Sequence, residues 1–230
     1  MAVTLDQIVP WGRSMSEYVR MFDLTPTDLA ARILDCAGGP SSFNAEMTRS
    51  GRSVVSCDPL YRYSAEEISG RIEQTGPAVL AATRANLDRF VWDEIKSPED
   101  LLRVRRAAME LFLGDLPGGL AQQRYIGAEL PALPFADQQF QLALCSHFLF
   151  TYSDLLSIEF HVASIREMCR AAPEARVFPL MGQFGTGLSP HLHPVIATLR
   201  SENFVCEVKS VPYQYQKGGN QMLVVTRPAP

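Results

Sequence analysis

Apolar positions along the chain follow two rhythms. Short β-rich runs are separated by longer stretches in which apolar residues recur at helical spacing, and that alternation predicts a mostly parallel sheet covered by helices on both faces. A first strand is expected over residues 32–37. The turn Gly38-Gly39-Pro40-Ser41-Ser42 then opens a helix over 43–50, with Gly51 placed to end it. A second strand over 53–57 is stopped by Asp58-Pro59, because proline has no N–H for a ladder and restricts the residue before it. These pieces form one β-α-β unit.

From residue 63 to 122 the pattern turns helical. Ser97-Pro98-Glu99-Asp100 is a start signal, with Ser as N-cap, Pro at the first helical position and acids in the first turn, and Leu101, Val104, Ala108 and Phe112 repeat as one apolar stripe. So long a helical stretch exceeds a simple crossover, so residues 61–122 read as an insert, a lid placed to cap a site. Strand patterns resume at 124–127, 141–145 and 175–180, with a helix over 158–170. Two final strands, 204–211 and 222–226, are joined through Lys217-Gly218-Gly219-Asn220, which suits a hairpin and makes the last strand antiparallel. There is no internal repeat, no low-complexity tract and no linker, so residues 1–230 read as a single domain.

Composition narrows the partners. Hydrophobic residues make up 47% of the 230 and charged residues 20%, enough for a full core. The formal net charge of −4 comes without a basic stretch, which argues against binding nucleic acid through its phosphates. The segment from Met1 to Gln7 lacks a basic region followed by an apolar core, so no secretory signal is expected and the protein is read as cytoplasmic. No apolar run is long enough to span a bilayer. Cys36, Cys57, Cys145, Cys169 and Cys206 stand singly, which suits reduced, buried thiols rather than a disulfide framework or a zinc site.

The stretch Leu34-Asp35-Cys36-Ala37-Gly38-Gly39-Pro40-Ser41 is the most informative. A strand ending in small residues lets a ligand approach the backbone and the next helix's N-terminus closely. Asp58 ends the second strand about 20 residues past the glycines, the spacing at which such folds bind ribose hydroxyls. Singly, the glycines are also compatible with a tight turn and Asp58 with a solvated strand end; together they favour a nucleotide-like ligand. The G-x-G-x-x-G fingerprint of hydride enzymes is absent, and an acid, Asp35, precedes the glycines instead.

At these residues the chain resembles the class I S-adenosylmethionine-dependent methyltransferases. Asp35 matches the acid of their first motif and Gly39 its central glycine, while Ala37 and Ser41 replace the outer glycines. The run from Tyr125 to Asp137, with Leu133-Pro134-Phe135, is similar to the family segment in which an acid at the position of Glu129 meets the adenine amino group. Phe140 to His147 looks like the family's fourth strand, with Gln141 where Asp is usual. The resemblance covers residues 33–226 apart from the insert. It implies an α/β fold: a doubly wound, mostly parallel seven-stranded sheet with an antiparallel C-terminal strand and the helical insert between strands two and three.

The resemblance also implies S-adenosylmethionine as cofactor, S-adenosylhomocysteine as product, and a small-molecule methyl acceptor taken at oxygen, nitrogen or carbon by a monomer or homodimer. Asp58, with Pro59 and Leu60, would hold the ribose, and Glu129 and Leu130 the adenine end. Asp35 with Ala37, Gly38, Gly39 and Pro40 would hold the methionine portion, and Cys145, Ser146 and His147 would line the reaction centre. Family members often fold the segment before the first strand over the cofactor, which makes Arg13 and Tyr18 candidates for closing the pocket. The same segment also reads as an amphipathic helix packing Tyr18, Met21 and Phe22 on the core.

His147, Tyr152 and His161 gather near the end of the fourth strand, where an acceptor would sit. His147 is the first candidate for a general base titrating near neutrality, or else a structural strand-end residue. His191-Leu192-His193, flanked by Pro190 and Pro194, reads as a surface loop, and no metal is expected. Arg103, Arg105 and Arg106 would either recognise an acidic substrate or form the wet face of their helix. Tyr61 and Tyr63 would stack on the cofactor, frame the acceptor or pack the insert on the sheet. Two other readings remain open: an NAD-type oxidoreductase, which the missing fingerprint disfavours, and a non-catalytic binding module of the same shape.

Overall fold

The computed structural model describes residues 9–182, 185 and 187–227. The segment read as lacking a secretory signal, residues 1–7, lies outside the described residues. Among these, seven strands form one sheet in the order β3-β2-β1-β4-β5-β7-β6. They are β1 (Ile33–Cys36), β2 (Val54–Cys57), β3 (Tyr125–Ile126), β4 (Leu142–Ser146), β5 (Glu174–Phe178), β6 (Val205–Ser210) and β7 (Gln221–Thr226). The first five run parallel, and β7 is antiparallel to both β5 and β6, as the terminal pattern predicts.

All four residues of β1 are buried, which marks it as a central strand covered on both faces. Alternate side chains serve the two layers. Leu34 and Cys36 join the core beneath α6 (Ile158–Ala171) and α7 (Leu192–Ser201). Ile33 packs with Tyr18, Met21, Phe43 and Met47, which come from α1 (Met15–Met21) and α3 (Phe43–Arg49). The same alternation turns the Asp35 side chain toward α1. A short helix α2 (Pro26–Ala30) links α1 to the sheet.

The insert lies between β2 and β3 and consists of α4 (Ala65–Ala85) and α5 (Pro98–Ala121). Ser97 caps α5 by accepting the Asp100 N–H at 3.1 Å. Leu101, Ala108 and Phe112 are buried on its inner face, and Tyr61, Phe112 and Tyr125 pack edge to face or tilted, which seats the insert on β3. The helical reading of 63–122 is corrected at residues 86–97. The chain leaves α4 at Asn86, whose amide donates to the Ala82 carbonyl, and Val91 N–H bonds the Tyr215 carbonyl at 2.8 Å. A tertiary partner thus takes the backbone groups a continued helix would have used.

Two further expectations change. The connection between β6 and β7 spans residues 211–220, longer than a tight hairpin, and sends Tyr213 and Tyr215 inward. His191-Leu192-His193 opens α7 instead of forming a surface loop, because Leu192 buries in the core beside Val195 and Leu199.

Candidate functional site

A cavity of about 720 Å³ opens where the loops leave the C-terminal ends of β1, β2, β3 and β4. That edge, between β1 and β4, is where the strand order reverses and where open α/β sheets leave a crevice. Ala37, Gly38, Gly39 and Pro40 line it from β1, Asp58, Pro59 and Leu60 from β2, Glu129 and Leu130 from the segment after β3, and Ser146 and His147 from β4. Arg13, Tyr18 and Tyr152 complete the wall. Residues far apart in the chain are therefore brought together as their motifs suggest.

The glycine turn is held from below. Gly39 has φ of +53°, a left-handed conformation natural to glycine, and a Cβ placed there meets no atom within 4 Å. At Gly38 a Cβ would lie 2.4 Å from Asp35 Oδ2 and 2.8 Å from the Tyr61 hydroxyl, so only glycine fits. Asp35 itself is 1% exposed and does not line the cavity. It accepts hydrogen bonds from Tyr18 Oη at 3.1 Å and Ser56 Oγ at 2.8 Å and supports the turn from below. Burial pushes its pKa up to about 7, against the lowering by those two hydroxyls. Cys145 is fully buried within β4 and also stops short of the cavity.

Asp58 bridges two loops. Its Oδ2 accepts the Gly39 N–H at 3.0 Å and its Oδ1 the Leu60 N–H at 2.8 Å. Each oxygen keeps a lone pair for a further donor. Burial raises its pKa to about 6, opposed by the two N–H bonds and assisted by Glu129. Glu129 stands exposed at the rim, paired with Arg62 at 3.4 Å. Tyr61 donates to the Gly39 carbonyl at 2.7 Å and packs the insert, whereas Tyr63 lines the cavity with the Arg71 guanidinium 3.6 Å over its ring.

The N-terminal segment is strapped across the turn. Ser41 Oγ and Ser42 N–H both donate to the Arg13 carbonyl, at 2.7 and 3.0 Å, and a Cβ on Gly12 would fall 2.0 Å from the Pro40 oxygen. Tyr18 packs in the core with Met21 and Phe22, 1% exposed, and also lines the cavity.

No family model matches the chain. The uncharacterized protein MJ0045 of Methanocaldococcus jannaschii is 30% identical over 226 residues, covering 98% of this chain and 99% of that one. The chain belongs to the family of that protein. Among solved structures, it is similar to a magnesium protoporphyrin IX methyltransferase from Synechocystis with bound SAM, at 13% identity and a TM-score of 0.45, over 88% of this chain and 73% of the other. It is also similar to a SAM-dependent methyltransferase from Methanosarcina mazei, at 12% identity and a TM-score of 0.46, over 90% and 99%.

His147 occupies a junction. It lines both the large cavity and a smaller inner one of about 90 Å³, as do Trp11 and Arg13. Its φ is +50°, its N–H bonds the Phe178 carbonyl at 2.6 Å, and its Nδ1 lies 2.9 Å from Ser146 Oγ. Burial, with Arg13 and Arg105 adding to it, holds the imidazole pKa well below its ordinary value. It is therefore uncharged at neutral pH, not titrating there as the sequence suggests. Tyr152 Oη accepts the Val9 N–H at 3.1 Å and lines the large cavity. His161 does not reach either cavity: it is buried on α6, its Nδ1 2.7 Å from the Ser157 carbonyl and its ring beside Phe150.

The largest departure is Arg105. Arg103 and Arg106 form the wet face, pairing with Asp100 and Glu73, but Arg105 is fully buried and its Nη1 lies 2.5 Å from Glu17 Oε2. Glu17 is 5% exposed, also accepts the Tyr213 hydroxyl at 2.9 Å, and is held far below the usual carboxylate range by the Arg105 guanidinium, which overcomes the penalty of burial. Arg13 adds a second guanidinium to this cluster. Glu17, Arg105 and Tyr213 carried no motif; the one hint is that Ser14-Met15-Ser16-Glu17 spells a helix capping box, which the structure contains.

Among the described residues, no helix is long and apolar enough to cross a membrane, and no three His, Cys, Asp or Glu side chains are grouped to hold a metal ion.

Proposed function

We propose that the protein is an S-adenosylmethionine-dependent methyltransferase acting on a small organic acceptor. The observation that carries this reading is the Asp58 carboxylate, fixed by the Gly39 and Leu60 N–H groups with lone pairs to spare, in the wall of a cavity at the switch point of the sheet. The residues fit the cofactor. About 720 Å³ lies within the roughly 300–1,000 Å³ of ligand pockets, the space over Gly39 is open, and the acids Asp58 and Glu129 suit a cationic ligand bearing a ribose and an amino group.

When bound, the cofactor supplies a methyl group on a sulfonium sulfur that departs with the bonding electron pair, giving S-adenosylhomocysteine. Asp58 would accept the ribose hydroxyls, Glu129 and Leu130 would hold the adenine, and Ala37, Gly38 and Gly39 the methionine portion. Arg13, Tyr18 and Trp11 would close the cavity and exclude water, and His147 and Tyr152 would face the acceptor. Direct displacement depends mostly on holding nucleophile, carbon and sulfur in line, which rigid strand ends do well. An uncharged His147 is free to accept a proton or a hydrogen bond from an acceptor but does not itself compete as a cation.

Calorimetric titration with S-adenosylmethionine, S-adenosylhomocysteine and NADH tests the reading. Saturable binding of the two sulfur ligands and not of NADH is expected; binding of NADH alone, or of none of the three, would overturn it.

A further inference from the structure

The smaller, inner cavity meets the large one at Trp11, Arg13 and His147 and is walled by Thr151, Phe178, Tyr213 and Tyr215, among others. Its polar groups are unfinished. Arg13 Nε, Thr151 Oγ1 and Tyr215 Oη are buried without a hydrogen-bond partner. Behind the wall, one helical turn beyond Leu101, Arg105 has Nε and Nη2 in the same state without itself lining the cavity. The three guanidinium nitrogens can only donate, and the two hydroxyls can donate or accept.

The charges point the same way. Glu17 neutralises the guanidinium of Arg105, so Arg13, Arg105 and Glu17 together keep one positive charge in excess, which the half-buried Arg13 brings to the cavity wall. Water can complete hydrogen bonds but cannot cancel that charge, whereas an anion does both. Phe178 and Tyr213 stand edge to face at 5.7 Å, and Phe90 stacks on Tyr215 at 4.8 Å, so part of the remaining wall is flat and aromatic.

We propose that the inner cavity is the acceptor site and that the acceptor is a small, flat carboxylic acid, bound as its anion to Arg13 with Tyr215 and Thr151 completing its hydrogen bonds and Arg105 adding its charge from behind the wall. This rests on the cofactor reading of the outer cavity, with which it shares Trp11, Arg13 and His147. The acids Asp58 and Glu129 line the large cavity only, while Arg13 stands where the two cavities meet. An anion also meets His147 already deprotonated, in keeping with an imidazole that burial and two guanidiniums hold uncharged.

The test uses benzoate and acetate against their neutral amides, titrated calorimetrically into protein with and without saturating S-adenosylhomocysteine. The acids should bind saturably and at least tenfold more tightly than the amides. The Thr151→Val, Tyr215→Phe double variant, which keeps every charge, should weaken benzoate three- to tenfold, and Arg105→Met, which removes the excess positive charge of the cluster, should weaken it at least tenfold; both should keep S-adenosylhomocysteine affinity within twofold. Equal binding of acids and amides, no binding of either acid, or an unchanged benzoate affinity in the double variant would overturn the proposal. Failure of S-adenosylhomocysteine to bind would instead overturn the cofactor reading, and the benzoate titration without it would still decide the anion site.

Discussion

Asp35→Asn should remove a pH dependence from folding stability. Asp35 is fully enclosed beneath the glycine turn, and burial lifts its pKa from 3.8 to about 7. Between those values the folded chain holds a proton that the unfolded chain has lost, so stability falls as pH rises, and the loss is complete above pH 7. Three pH units at about 1.4 kcal/mol each make roughly 4 kcal/mol. Asparagine cannot ionise, keeps an acceptor for one of the Tyr18 and Ser56 hydroxyls and gives the other a donor. Urea unfolding followed by circular dichroism from pH 5 to pH 8.5 should show the variant gaining on the parent as pH rises, by up to about 1.4 kcal/mol per unit, and levelling above pH 7. Asp58 titrates in both proteins and largely cancels. Stability profiles that stay parallel across this range would refute the assignment of a buried, protonated Asp35.

Three other outcomes are expected. Asp58→Ala should weaken S-adenosylhomocysteine binding by about 1–3 kcal/mol. In the parent, affinity should rise from pH 5 to 7 and then level, because ribose hydroxyls favour the ionised form of a carboxyl whose pKa is about 6; a flat calorimetric profile would count against the ribose contact. Gly38→Ala should lower the melting temperature, since its Cβ collides with Asp35 and Tyr61, whereas Gly39→Ala meets no atom, should lose only about 1–2 kcal/mol for its left-handed φ, and should lose ligand affinity instead. Arg105→Met should cost about 3–5 kcal/mol by stranding Glu17, while Arg103→Ala and Arg106→Ala should each stay within about 0.5 kcal/mol; equal effects in urea unfolding would contradict the burial of Arg105 alone.

What could be read from the sequence is what depends on neighbours in the chain. The strand ends, the glycine turn, Asp58 and the N-cap of α5 are local signals, and all appear within a residue or two of where the pattern puts them. The cavity walls follow from them, because strand order alone gathers their C-terminal ends. Asp35 and Cys145 fell outside the wall because strand alternation, not motif position, decides which side chains reach a crevice. Arg105 was invisible for a different reason. It stands on a charged helix face beside Arg103 and Arg106, and its partner Glu17 is 88 residues away, while Tyr213 meets Glu17 across 196. Nothing short of the folded arrangement distinguishes it from its exposed neighbours, and the neutral state of His147 depends on the same distant guanidiniums.

The Glu17 carboxylate limits how the insert can move. It closes the capping box of α1 by accepting the Ser14 N–H at 3.0 Å, pairs with Arg105 of α5, and accepts from Tyr213 of the β6–β7 connection. Swinging α5 away as part of a lid would separate a buried ion pair, at a cost of about 3–5 kcal/mol, and would empty the packing of Phe112 against Tyr61 and Tyr125. Opening of that kind would occupy about one molecule in a hundred to one in several thousand, since each 1.4 kcal/mol is about tenfold. Any freer motion belongs to α4 and residues 86–97, which hold no buried ion pair like that of Arg105 and meet the β6–β7 connection through two backbone bonds, Val91 to Tyr215 and Lys217 to Arg89, and through Phe90 and Trp92 packed on Tyr215. Hydrogen exchange in the free protein should therefore protect the amides around Arg105 and Phe112 at least tenfold more than those of residues 86–92, and ligand should slow the second group more. Uniform exchange across the insert would mean that α4 and α5 move together, and that the Glu17 cluster does not anchor α5.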